Sequence, residues 1–232
     1  MPEPKCRRFC IAALASALLL AGCYSEKPPD TREPTINRDA LKLYHEALDL
    51  LDQGDDLLAL DKLDQSIQAD PSFPPLYSRK AGVLARLGRY AEAAQAVEKH
   101  VELDPRNAEA RLLLGLLLEK SGVSGEARPY YEQAVALLDP SEAMRTGDAR
   151  LAIYRAVAIY LAQGRLDGVR AINEVINAYP AQQTARLLKQ RMKQEDRDYF
   201  LWWMAGPQEE DAPYREATET QEQRRQATAA QQ

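Results

Sequence analysis

The stretch "YSRKAGVLARLGRYAEAAQAVEKHVELDP", residues 77–105, decides the fold. Apolar and small residues recur at helical spacing on both sides of Gly88, and Asp104-Pro105 closes the run. The small side of Ala81 and Gly82 lets two antiparallel helices approach each other. Gly88 can end the first helix with a positive φ, and Pro105, which lacks an N–H, stops the second. The stretch therefore predicts a helical hairpin.

Its markers recur on both sides at one period. Gly54, Gly88 and Gly122 are 34 residues apart, and so are Pro71 and Pro105, each preceded by Asp. Aligned on the glycines, Ala59, Ala93 and Ala127 share a slot. So do Leu63, Val97 and Tyr131, and then Ser66, His100 and Ala134. A short hairpin has an apolar face it cannot bury alone, so neighbours must stack, and about three units are the minimum.

The pattern resembles the tetratricopeptide repeat (TPR) family over residues 40–140, with three units. The third unit is one residue longer between Ala134 and Pro140 and carries Pro129 early in its second helix, which predicts a local irregularity. A degenerate fourth unit fits "LAIYRAVAIYLAQGRLDGVRAINEVINAYP", residues 151–180. Its Gly164 follows Gly122 by 42 residues, and the excess falls in the polar "PSEAMRTGDAR", read as a long connection. Residues 181–204 read as one further helix with Leu188, Met192, Tyr199 and Trp203 on a stripe. The expectation is an all-α TPR helical-hairpin solenoid over residues 37–204, three clear repeats and one degenerate, closed by a C-terminal capping helix. Residues 205–232 are polar and poor in apolar side chains, the composition of a disordered tail.

The N-terminus has a different character. Lys5, Arg7 and Arg8 precede an apolar run from Phe9 to Gly22, and these fourteen residues fall short of the about 20 needed to span a bilayer as a helix. A basic start, a short apolar middle and small residues at its end form an export signal over residues 1–22. Leu20-Ala21-Gly22-Cys23 resembles the bacterial lipobox, which implies cleavage before Cys23 and acylation of its thiol. A signal anchor and ordinary cleavage leaving a free cysteine are the alternatives. More than one acyl chain, at about 0.8 kcal/mol per buried methylene, suffices for stable attachment. Residues 23–36 carry Pro28, Pro29 and Pro34 among charges and read as an extended tether. Tyr24 follows the cysteine where Asp would stand in an inner-membrane lipoprotein. By the enteric sorting rule this resembles outer-membrane cargo facing the periplasm.

Composition excludes several functions. The net charge is −5, and from Cys23 onward 27 basic side chains face 34 acidic ones, so a nucleic acid partner is not expected. The three cysteines all lie within the first 23 residues and the histidines are two, so neither a zinc site nor a Cys/His nucleophile pair can be assembled in the body. No phosphate-binding or nucleophile-elbow motif is present. Asp52–Asp56, read as a calcium loop, puts Leu57 where the turn needs glycine. No metal and no cofactor is expected beyond the covalent lipid on Cys23. His100, in a slot for small residues, reads as a packing residue, and His45 as surface.

The TPR resemblance implies a concave groove lined by the first helix of each unit. Its inward positions carried onto this chain give Tyr44, Leu48 and Leu51 in unit one and Gly82 in unit two. Leu112 and Leu116 follow in unit three, and Tyr154 in unit four. The groove is apolar, and Tyr44 and Leu48 replace the Lys and Asn of clamp-type TPRs. Such a groove suits an amphipathic helix or an apolar segment. These residues also fit packing between helices, or cover by the chain's own C-terminal helix. Tyr199, Trp202 and Trp203 fit a cap, a partner contact or a membrane-interface contact. The expected function is a noncatalytic interaction scaffold or adaptor for envelope proteins, attached to the bilayer by its lipid. As a group it resembles TPR lipoproteins such as type IV pilus pilotins and peptidoglycan-hydrolase adaptors. The alternative is an accessory enzyme or substrate-binding protein whose site no recognisable motif encodes.

Overall fold

The computed structural model describes residues 37–205. The signal segment 1–22, Cys23 with the tether to residue 36, and the tail from residue 206 lie outside the described residues. The described residues are helical and contain no strand. Three hairpins come first: α1 (Arg38–Gln53) with α2 (Asp56–Ala69), α3 (Pro74–Arg86) with α4 (Tyr90–Leu103), and α5 (Ala108–Lys120) with α6 (Ala127–Leu137). A short α7 (Pro140–Thr146) leads to the fourth hairpin, α8 (Ala149–Gln163) with α9 (Arg165–Ala178). The described residues end on α10 (Gln183–Gln194) and α11 (Arg197–Ala205).

The 34-residue period is a repeated backbone event. Gly54, Gly88 and Gly122 have φ of 85°, 74° and 91°. At each, the glycine N–H donates to the carbonyl three residues back, and the next N–H donates to the carbonyl five back: Leu51 and Leu50, then Ala85 and Leu84, then Glu119 and Leu118. This 6→1 and 5→2 pairing satisfies the orphan carbonyls of the first helix while reversing the chain. The start signals are equally local. Asn107 caps α5 by accepting from the Ala110 N–H at 2.8 Å, and Pro74 occupies the first position of α3, where no N–H partner is needed.

The aligned slots pack alike. Ala59, Ala93 and Ala127 are fully buried, as are Leu63, Val97 and Tyr131. Tyr131 is larger than its counterparts, and space for it comes from Gly115, which stands where earlier units carry Ala47 and Ala81. A methyl group added to Gly115 would strike the Tyr131 ring. The polar slot is satisfied from within: the Ser66 hydroxyl donates to the Ala40 carbonyl at 2.7 Å, and His100 Nδ1 lies 2.5 Å from the Ser78 hydroxyl. The irregularity at unit three is present as a 3₁₀ turn, Ser124–Glu126, before an α6 of 11 residues that holds Pro129 in its first turn.

Three expectations change. The long connection after Pro140 is helical, because Asp139 accepts from the Ser141 N–H at 2.8 Å and Pro140 opens α7. The single helix over 181–204 is two. Glu195 adopts a left-handed φ of 58°, and the Asp196 N–H donates to the Arg191 carbonyl, the same helix-ending geometry as the repeat glycines but without a glycine. The break also shifts the buried face. Leu188 and Met192 are fully buried in α10, but α11 buries Phe200, Leu201 and Met204, while Tyr199 and Trp203 are half-buried. Finally, Gly82 does not bring α3 onto α4; its open side faces Ala205 at the end of α11. Among the described residues no helix is long and apolar enough to cross a membrane.

Candidate interaction groove

Against the first helices expected to line the groove lies α11, packed on α3 and α5. At one end Arg197 donates from Nε and Nη2 to the two carboxylate oxygens of Glu119, at 3.1 and 2.6 Å. Lys120 pairs with Asp198 at 2.5 Å alongside. In the middle the Phe200 ring stands 5.0 Å from Tyr160, and Trp203 stands 5.2 Å from Tyr154, both tyrosines on α8. At the other end the Ala205 carbonyl would come within 2.5 Å of any Cβ at position 82. Only a glycine there admits the helix at this depth. First helices of units two, three and four thus all touch α11.

Apolar burial dominates the docking. Phe200 is 0% exposed, with Leu201 and Met204 also buried, and each such side chain contributes about 1.5–3 kcal/mol. The two aromatic pairs add about 0.5–1.5 kcal/mol each. The Arg197–Glu119 pair is partly exposed, and screening limits it to about 1 kcal/mol, so its value is in fixing the helix along the groove. Beneath that pair the Tyr131 phenol is buried. Burial pushes its pKa well above the ordinary range, the Glu119 carboxylate adds to the rise, and Arg197 opposes it. It stays neutral there.

The expected groove residues divide accordingly. Leu112, Leu116, Tyr44 and Leu48 are at most 4% exposed and belong to the core, whereas Leu51 is half-buried. Tyr154 meets Trp203 directly. Of the aromatic trio, Trp202 is 64% exposed and points away from the groove, and Tyr199 packs between Trp202 and the Arg191 guanidinium. Among the described residues α11 packs on α3 and α5 and reaches as far as Gly82, while Leu41 and Leu51 on α1 are half-buried against the core. The sequence leaves cover by the C-terminal helix open as one alternative, and does not single out Arg197, Leu201 and Met204 as the residues that join Phe200 in it. A signal for them exists: Leu112–Leu118 is unbroken apolar sequence, and all seven positions are buried. A helix apolar all round needs cover on every side, including its groove side.

Two shallow hollows lie elsewhere. One of about 280 Å³ is lined by Asp104, Arg106, Asn107, Glu109, Asp139 and Glu142, and one of about 140 Å³ lies between α8 and α9 against Pro140. Among the described residues no three His, Cys, Asp or Glu side chains converge as metal ligands.

The described residues therefore form a repeat solenoid with α11 packed on the first helices of its later units, and comparison with known proteins identifies the repeat. Residues 44–108 and 79–143 match the tetratricopeptide repeat family. The chain carries TPR units, and its described part folds as a TPR solenoid. It is 37% identical over 78 residues to the small glutamine-rich tetratricopeptide repeat-containing protein 2 of Mycosarcoma maydis, covering 34% of this chain and 22% of that protein. It is 31% identical over 93 residues to a protein SGT1 homolog of Oryza sativa subsp. japonica, covering 40% and 23%. The chain thus spans less than a quarter of the curated relatives it matches. Among solved structures, pilF of Pseudomonas aeruginosa superimposes with a TM-score of 0.50 over 73% of this chain and 78% of that one. At 17% identity this likeness is one of fold alone.

Proposed function

We propose that the chain is a lipid-anchored, noncatalytic protein-interaction scaffold of the bacterial envelope, held through an acylated Cys23 to the outer membrane and facing the periplasm. The observation that supports the interaction reading is the groove, which accepts a helix by burying one apolar face and fixing its end with Glu119. Helix-in-groove recognition draws affinity from such anchors. The anchoring rests on the basic, apolar and Leu20–Cys23 segments of the sequence. The finer role is an adaptor in envelope assembly, of the pilotin or peptidoglycan-hydrolase-adaptor kind, with envelope proteins as partners.

The two halves are tested separately. Cys23→Ser is expected to abolish acyl labelling and release the protein from the membrane fraction; attachment that survives without acyl label would remove the lipoprotein reading. For the scaffold, a photocrosslinking residue at Leu51, half-buried on the first helix of unit one, is expected to trap a discrete envelope protein in intact cells. The same probe at Leu166, 78% exposed on α9, is expected to trap none. Equal yields at the two sites would overturn the scaffold reading.

A further inference from the structure

We propose that α11 is an exchangeable internal occupant of the groove, displaced by a partner helix that presents the same face. That face is a basic residue followed by apolar residues three, four and seven positions on, the first of them aromatic. The inference rests on the scaffold reading for the existence of a partner; the exchange itself is a property of the chain alone.

Four observations carry it. The buried side of α11 is Arg197, Phe200, Leu201 and Met204, the i, i+3, i+4, i+7 spacing by which an amphipathic helix enters a groove. The opposite side presents Trp202 to solvent at 64% exposure, so α11 is covered on one face only. Its position is fixed by a charge pair at one end and by a close approach at Gly82 at the other, features a second helix could reproduce.

The fourth observation is the tether. Only Glu195 and Asp196 join α10 to α11, and among the described residues Glu195 is the one non-glycine residue held at positive φ. An L side chain is strained in that conformation. Returning Glu195 to helical φ and ψ would join α10 and α11 into one straight helix and carry Phe200 out of the groove. The bend and the docking therefore oppose each other, so the docked state sits closer to its open alternative than a glycine-capped helix would. Once free, a helix of nine residues has little stability of its own. A partner helix that fills the groove leaves α11 with nothing to re-dock against.

The test uses the purified full chain and a fluorescent peptide of residues 196–205, DRDYFLWWMA. Wild-type protein is expected to bind the peptide weakly, because its own α11 competes. The arm variant Phe200→Asp with Met204→Asp, whose groove residues are untouched, is expected to bind at least tenfold more tightly. Adding Glu119→Lys to that variant should abolish binding of the native peptide and restore it for a peptide carrying Arg197→Glu, a charge swap that general loosening of the fold would not produce. Binding no tighter than wild type in a cooperatively folded arm variant would overturn the proposal. Hydrogen exchange on the wild-type chain gives an answer that needs no variant. Amides of α11 are expected to exchange at least a hundredfold faster than those of α5; equal protection would make α11 a permanent part of the core and overturn the exchange. Peptide exchange without any crosslinked envelope partner would remove the scaffold reading and leave the exchange standing.

Discussion

His100 stands in the slot that neighbouring units give to Ser66 and Ala134, and the fold buries it to 6% exposure. Burial holds the ring down at about 4, against the Asp104 carboxylate, which acts to raise it. The neutral ring then shares its short hydrogen bond with Ser78. Between an ordinary pKa of 6.5 and the folded value of about 4, the unfolded chain takes up a proton that the folded chain refuses. Stability is therefore complete above pH 6.5 and falls as the pH drops, by up to about 3 kcal/mol at pH 4. His100→Ala removes the titrating ring and restores the small residue of the slot. Its melting temperature should fall less than that of wild type between pH 7 and pH 4.5, and parallel curves would assign the acid sensitivity to other groups. The packing role of this histidine was legible in the sequence from its repeat position. His45, which the sequence places at the surface, is half-buried beside Tyr44, with burial lowering its pKa.

At the scale of elements, the hairpins were legible because their turns need a residue type that can be seen. Gly54, Gly88 and Gly122 each hold a left-handed φ, and the spacing of glycine in the sequence is the spacing of turns in the fold. The same turn at the end of α10 was invisible because Glu195 fills the glycine position, and the stripe through Leu188, Met192, Tyr199 and Trp203 continued unbroken across it. The α7 helix was hidden by its polarity, although its Asp139-Pro140 start and Gly147 stop are ordinary helix signals. Repeat alignment proposes the groove positions of units two to four, and cover by the C-terminal helix is among the readings the sequence leaves open, but nothing local says which face of α11 turns inward. Compensation between helices is a further element-scale property. Gly115→Ala should lower stability by about 1–3 kcal/mol through overpacking against Tyr131, read as a shift in the urea midpoint. Combining it with Tyr131→Val, the residue of unit two, should recover much of that loss, since unit two carries Ala81 and Val97 at the same two positions, both fully buried. Strictly additive losses would show that the two positions do not share one space.

For the whole molecule, a solenoid couples each unit only to its neighbours, and its cooperativity grows from those interfaces. α11 departs from that rule. Through Ala205 at Gly82, Arg197 at Glu119 and Trp203 at Tyr154, it touches units two, three and four at once. These contacts span more than one repeat, so they raise cooperativity without adding a repeat. The chain also supplies a means of watching them: its two tryptophans, Trp202 and Trp203, both lie on α11. Tryptophan fluorescence therefore reports the arm, while far-ultraviolet circular dichroism reports the helices of the solenoid as a whole. If undocking of α11 precedes loss of the solenoid, the fluorescence midpoint in urea should fall below the dichroism midpoint. If α11 instead stays docked until the solenoid melts, the two midpoints coincide, and in the Phe200→Asp, Met204→Asp variant the dichroism transition should broaden, with a smaller m value as units unfold less in concert. Coincident midpoints in wild type, with the variant melting as sharply, would mean that repeat stacking alone sets the cooperativity and that α11 is carried passively on the groove.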